Sequence, residues 1–238
     1  MSQASYPVAS LFPMDLLQIE MGAATDSLET NPGAVHFDDL NGGGPPTGSW
    51  CPVSELSDDF DDGVRGRPWQ RGWESAECTR TEEQGQLVLR VDGSGTTDCG
   101  YGSSTSYDLT GRAVWVEAVQ ISADAGVYVL LRLERDPQLG IEMAYGNGQL
   151  ACGTRTAGVS QLFASMPYQP AVHRWWRLSE QGGTISCETS ADGSSWEFRG
   201  QTANPFDVRA TDVLLIGGKD GAGSPIVTAR FDNLNLGP

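Results

Sequence analysis

Short stretches with apolar residues at every second position recur along most of the chain, each closed by Gly, Asp, Asn or Ser. Leu87, Leu89 and Val91 form one such row, and Val127, Val129, Leu131 and Leu133 form another. A strand turns successive side chains to opposite faces, so a period of two means a strand buried on one side. Helix-favouring runs are scarce, and 30 glycines punctuate the chain. This pattern predicts an all-β, antiparallel sandwich or barrel. Strands are predicted over 113–121, 127–134, 140–145, 149–155, 173–179 and 184–189, with 58–62 as the first strand of the main domain. Asn147-Gly148 is a hairpin signal, because both residues accept the positive φ of a two-residue turn. Gln181-Gly-Gly183 and Ala191-Asp-Gly-Ser194 mark two further tight turns.

An internal repeat bears on domain organisation. Residues 15–22 (DLLQIEMG), a loop, and residues 34–42 (AVHFDDLNG) are echoed by residues 212–218 (DVLLIGG), a loop, and residues 228–235 (TARFDNLN). Each half is a strand, a Gly-rich loop and a strand ending in Phe-Asp-(Asp/Asn)-Leu-Asn. Residues 1–43 therefore resemble the last two strands of a preceding, similar domain. Two strands cannot bury a core alone, so this segment must dock on the main domain, self-associate by swapping onto another molecule, or be mobile. Residues 44–56, opening on Gly-Pro-Pro, form a linker by composition, and 57–238 is the sandwich proper. The first and last strands of that sandwich are expected side by side.

The formal net charge is −16, from 31 acidic and 15 basic residues. Such a surface repels phosphate backbones and anionic lipid, so neither nucleic acid nor a membrane surface is an expected partner. No apolar run approaches the roughly 18 residues that a spanning helix needs. The first 17 residues lack the basic start and apolar stretch of a signal peptide. Either export is specified elsewhere or the sequence begins inside a longer protein.

Five cysteines occur without a CxxC pair, and there are two histidines. Disulfides in an oxidising compartment fit this better than zinc, which places the protein outside the cell or on its surface. Cys78 and Cys99 flank one predicted hairpin and are the expected pair. Cys152 and Cys187 fall at inward strand positions, as a bridge or as buried thiols, and Cys51 is the odd residue.

Residues 175–179 (WWRLS) followed by 182–196 (GGTISCETSADGSSW) resemble the core signature of concanavalin A-like lectin and glucanase jelly rolls. Asp59-Phe60, Trp69 and the closing 231–235 (FDNLN) are similar to that superfamily's first and last strands. The resemblance covers about 180 residues and implies two antiparallel sheets, one of them concave. Its members include lectins, adhesion modules, glycoside hydrolases and modules of bacterial surface proteins, so fold alone does not select a function. Retaining glucanases of this fold carry a Glu-x-Asp-x-(x)-Glu strand, with its two catalytic carboxyls about 5–5.5 Å apart. The nearest approach here is Glu134, Asp136 and Glu142, interrupted by Asp136-Pro137. No catalytic residue is assigned and no enzyme is expected.

Period-two reading turns Tyr128 and Arg132, and on later strands Glu142, Trp175, Arg177 and Glu188, toward one concave face. Arg and Glu offer planar hydrogen bonding to sugar hydroxyls, and exposed aromatic rings stack on pyranose rings. Arg177 and Glu188 can equally pair across neighbouring strands and fix the register. Trp176 and Trp196 are expected in the core. No cofactor is expected beyond a structural calcium at Asp59, Asp61 and Asp232, since hard cations collect carboxylates. The expected function is non-catalytic recognition or adhesion, with a glycan or a surface protein as partner. A structural repeat unit of a fibre, sheath or array is the alternative, and a glycoside hydrolase the third.

Overall fold

The computed structural model describes residues 50–69, 71–92, 95–123, 126–221 and 227–237. The proposed N-terminal strand pair, its self-association and the Gly/Pro stretch lie outside these residues. Fourteen strands are formed among the described residues. They are β1 (Arg71–Trp73), β2 (Cys78–Glu82), β3 (Leu87–Val91), β4 (Thr97–Gly102), β5 (Ala113–Ile121), β6 (Val127–Asp136), β7 (Leu139–Gly146), β8 (Gln149–Thr156), β9 (Val159–Pro167), β10 (Trp175–Gln181), β11 (Thr184–Ser190), β12 (Glu197–Ala203), β13 (Asp212–Lys219) and β14 (Val227–Asp232). They make two seven-stranded antiparallel sheets, in the orders β1-β4-β13-β6-β7-β8-β9 and β12-β11-β10-β5-β14-β3-β2.

The inward rows are those of the period-two pattern. Val129, Leu131 and Leu133 of the first sheet face Val114, Val116, Leu178 and Ile185 of the second, all fully buried in one core. The Trp-Trp pair splits as alternation demands: Trp176 is in the core, edge-on to Phe231 at 6.4 Å, while Trp175 is on the outer side. Trp69, Phe60 and Tyr101 fill one end of the core with ring centroids 5.7–6.3 Å apart.

Two disulfides cross from sheet to sheet. Cys78 on β2 joins Cys99 on β4, and Cys152 on β8 joins Cys187 on β11. Sequence separations of 21 and 35 residues make each bridge worth roughly 3–4 kcal/mol through the unfolded chain. Cys51 is an exposed free thiol.

The segment 58–62 is not a strand. Asp58 Oδ1 accepts the Phe60 amide at 2.8 Å, and Phe60 has a φ of 54°, so the chain turns. Its expected neighbour is nonetheless there, since Asp58 bridges Leu234 in both directions at 2.9 and 3.2 Å. Sandwich packing also starts before Ser57: Pro52 bridges Asp108, and Val53 and Leu56 are buried. Strand β9 was not legible in the sequence. It is an edge strand with mostly exposed side chains, so it carries no alternation.

Candidate functional site

The residues expected on one face fall on two, because β6 and β7 belong to the first sheet whereas β10 and β11 belong to the second. Tyr128, Arg132 and Glu142 are on the outer side of the first sheet. Trp175, Arg177 and Glu188 are on the outer side of the second, with the whole core between the two sets. Alternation assigns a side chain to in or out, but it does not say which sheet a strand joins.

On the second sheet the candidates are occupied. Arg177 gives Nε and Nη2 to Glu188, both at 2.7 Å, and the Ser179 hydroxyl donates to Glu188 at 3.1 Å. The Trp196 ring lies 4.1 Å from the Arg177 guanidinium carbon. Trp196 is thus half-buried on the outer face and not in the core as expected. Trp175 is 3% exposed and unavailable for stacking on a ligand. The turn at 191–195 covers it so closely that a Cβ on Gly193 would come within 2.8 Å of its ring. Asp192 holds that turn, accepting the Ser194 and Ser195 amides at 2.9 and 2.8 Å. Those amides keep its carboxylate well below the usual range.

The first sheet's outer face is arranged differently. The register puts Trp73, Gly100, Ile216, Leu130, Ala144 and Ala151 in one row across six strands. The adjoining row holds Asp98, Gly218, Tyr128, Gly146 and Gln149. Glycines let the two aromatic rings lie down on the sheet. A Cβ on Gly218 would sit 2.3 Å from the Tyr128 ring, and one on Gly100 would sit 3.1 Å from the Trp73 ring. Asp98 fixes both, accepting Trp73 Nε1 at 2.5 Å and the Tyr128 hydroxyl at 2.9 Å. Both rings stay half-buried and pack with Leu130, Leu214 and Ile216. Beside Tyr128 lies a depression of about 430 Å³, lined by Ala144, Gln149, Ala151, Ser165 and the exposed Leu162.

The other end of the same face is charged. Arg132 gives Nε and Nη2 to Glu142 at 3.1 and 2.9 Å, and the Ser160 hydroxyl donates to Glu142 at 3.3 Å. Asp212 binds Arg71 and accepts the Ser106 hydroxyl at 2.6 Å. Glu134 is buried, with Arg71 3.9 Å away, and burial pushes its carboxyl above the usual range. Of the three acidic residues that come nearest to a glucanase motif, Glu134 and Glu142 thus share this face. Asp136 does not: it accepts the Gln138 and Leu139 amides in the β6–β7 turn.

Sequence reasoning missed Asp98, and with it the link between Trp73 and Tyr128. No local signal shows that Asp98 and Tyr128, 30 residues apart, meet through β13.

The expected calcium set is not assembled. Among the described residues no group of three or more His, Cys, Asp or Glu is placed to hold a metal ion. The Asp59 carboxylate accepts the Asp61 amide at 3.2 Å. Asp232 accepts the Asn233 amide at 2.7 Å, and its carboxyl is pushed up to about 6, first by burial and then by Glu117, Asp61 and Asp59. His173 is buried, its Nδ1 accepting the Gln169 amide at 3.1 Å, and is in no nucleophile setting; His36 lies outside the described residues. No described helix is long and apolar enough to cross a membrane.

Solved structures share this architecture. Bacillus licheniformis β-glucanase superposes with a TM-score of 0.56 at 10% identity, over 79% of this chain and 97% of that one. LamAcat from Zobellia galactanivorans gives 0.55 at 11%, over 75% and 95%. A Bacteroides ovatus GH16 protein, solved with a G4G4G3G product, gives 0.54 at 11%, over 76% and 98%. The fold is a concanavalin A-like jelly roll. At these identities the likeness carries the jelly roll and no activity. No protein-family model and no curated protein matches the sequence.

Proposed function

We propose that this jelly roll is a non-catalytic, extracellular recognition or adhesion module that binds glycan on the outer face of its first sheet. One observation carries the proposal. Trp73 and Tyr128 lie over glycines and are oriented by a shared Asp98, and Tyr128 lines an open depression. Half-buried rings held in place lose little freedom on binding, and their faces suit the apolar faces of pyranose rings. Arg132 and Glu142, one row beyond Leu130 and Ala144, are paired with each other and border this aromatic surface. The two disulfides suit an oxidising, extracellular setting.

The non-catalytic part rests on the carboxylates. Hydrolysis by a carboxylate pair needs one group free to give a proton and another free to attack or to activate water. Both oxygens of Glu142 are engaged, one by Arg132 and one by Ser160. A glycan array followed by titration calorimetry tests the proposal, with saturable binding that weakens in Tyr128→Ala as the expected result. A protein that binds no glycan, or one that releases reducing ends from a polysaccharide, overturns it.

A further inference from the structure

The depression on the first sheet's outer face has one charged residue in its described lining, Asp220. Tyr128 on β6 forms one wall and Leu162 on β9 the other, with Ala144 and Ala151 as an apolar floor between them. Leu162 lies down on the sheet, so a Cβ on Gly153 would come within 3.2 Å of it. Strands β7 and β8 separate the two walls, which puts the wall strands about 14 Å apart at the usual spacing. A volume of about 430 Å³ is in the range that holds small ligands.

Asp220 follows the last residue of β13, two positions beyond the Gly218 that underlies the Tyr128 ring. Its backbone amide donates to the Gly126 carbonyl at 2.8 Å, which fixes it at the lip of the depression. Its side chain is exposed and makes no hydrogen bond or ion pair with the described residues. Asp98 differs, because Trp73 and Tyr128 occupy its two oxygens. Burial first, then Asp98 and Asp220, hold the Tyr128 phenol above its usual range, so the Asp220 charge is felt at this wall. No cation of the described lining offsets it. Lys219 is buried, and Arg132, two rows along β6, is held by Glu142.

We propose that this depression takes an amino sugar, its ring between Tyr128 and Leu162 and its unacetylated ammonium group at Asp220. An ammonium offers three donors and no acceptor, which matches an exposed carboxylate that accepts from no neighbour. A cation is also drawn to the face of an aromatic ring, here Tyr128. The apolar floor of Ala144 and Ala151 suits the C–H face of the sugar. At longer range a chain of net charge −16 attracts a cationic oligosaccharide and repels an acidic one. An acetylated nitrogen carries no charge and leaves Asp220 unmatched. The inference rests on the glycan reading above and adds the charge class of the ligand.

The test is calorimetry on the full chain at one fixed ionic strength. The probes are glucosamine and galactosamine oligosaccharides, their N-acetylated counterparts, neutral glucose and galactose oligosaccharides, and oligolysine. At least one amino-sugar oligomer is expected to bind about three- to fivefold tighter than its N-acetylated counterpart, the upper range for a charge pair at an exposed site. Asp220→Asn, with an unchanged thermal midpoint, is expected to remove that preference. Glu55→Gln, the same loss of charge on the 53–55 turn beside β5, is expected to keep it. Wild type that binds sugars without this preference overturns the amino-sugar inference while the glycan reading stands. So does an Asp220→Asn protein that keeps the preference, or a Glu55→Gln protein that loses it equally. Oligolysine that binds as tightly as the amino sugars, and is weakened equally by Asp220→Asn, overturns the sugar in favour of a cationic peptide. Failure of every sugar, charged and neutral, overturns the glycan reading and the amino-sugar inference together.

Discussion

On the second sheet's outer face an arginine–glutamate pair is roofed by Trp196, and the nearby Trp175 is sealed under the turn at 191–195. On the first sheet's outer face a similar pair, Arg132 and Glu142, shares its surface with two half-buried rings and an open depression. Both faces place an arginine directly opposite a glutamate on the neighbouring strand. Both charged pairs are satisfied from within, but the first face leaves aromatic surface beside an open depression. What separates a register clamp from a binding face here is therefore the covering turn and the flanking glycines, not the charged pair itself.

The largest expected effect tests what the faces share. Replacing Cys152 and Cys187 together by alanine removes one sheet-to-sheet bridge and should lower the unfolding free energy by roughly 3–4 kcal/mol, read by denaturant titration. Glycan binding measured well below the midpoint should persist. Arg177→Ala strands Glu188 and uncovers Trp196, and should cost about 2–3 kcal/mol of stability with glycan affinity unchanged. Loss of binding in a folded Arg177→Ala protein would break the comparison. Tyr128→Ala should do the reverse, weakening glycan binding by about 1.5–2 kcal/mol, or some ten- to thirtyfold, with a smaller loss of stability than Arg177→Ala.

The smallest effect belongs to neither face. Glu82, on β2, accepts the Tyr101 hydroxyl at 2.9 Å, and its other oxygen is buried without a partner. Burial first, then its acidic neighbours Asp62 and Asp58, push its carboxyl up to about 7. A raised carboxyl favours the fold while protonated, and that contribution is lost as the pH rises from about 4.5 through 7. Glu82→Gln should therefore match wild type at pH 4 and be more stable at pH 8. Solvent screening keeps the gain to about 1 kcal/mol or less. Parallel thermal melts at the two pH values check this, and a gain confined to pH 4 would reverse the sign of the argument.

Much of the fold could be read from residues. Alternation located β5 to its last residue and β6, β7, β8 and β11 to within one or two. Asn147-Gly148 marked the β7–β8 hairpin, and Cys78–Cys99 followed from flanking positions. The site was legible residue by residue but not as a set. Arg132, Glu142, Arg177 and Glu188 were all read as outward, and Arg177 and Glu188 also as a cross-strand pair, because neighbours on adjacent hairpin strands are close in sequence. Trp73, Asp98 and Tyr128 were not joined, because the strand that brings them together, β13, arrives more than a hundred residues later.

The sequence alone determined that this chain makes strands, which side chains point inward, and which hairpins close, since each follows from backbone geometry acting over a few residues. Only the tertiary structure decided which strands share a sheet. That choice placed Trp175 and Arg177 across the core from Tyr128 and Arg132, buried Trp175 under a turn, and left Tyr128 half-buried beside an open depression. The reason is physical: strand order is set by burying the combined inner faces of fourteen strands at once, and no local stretch of residues encodes that sum.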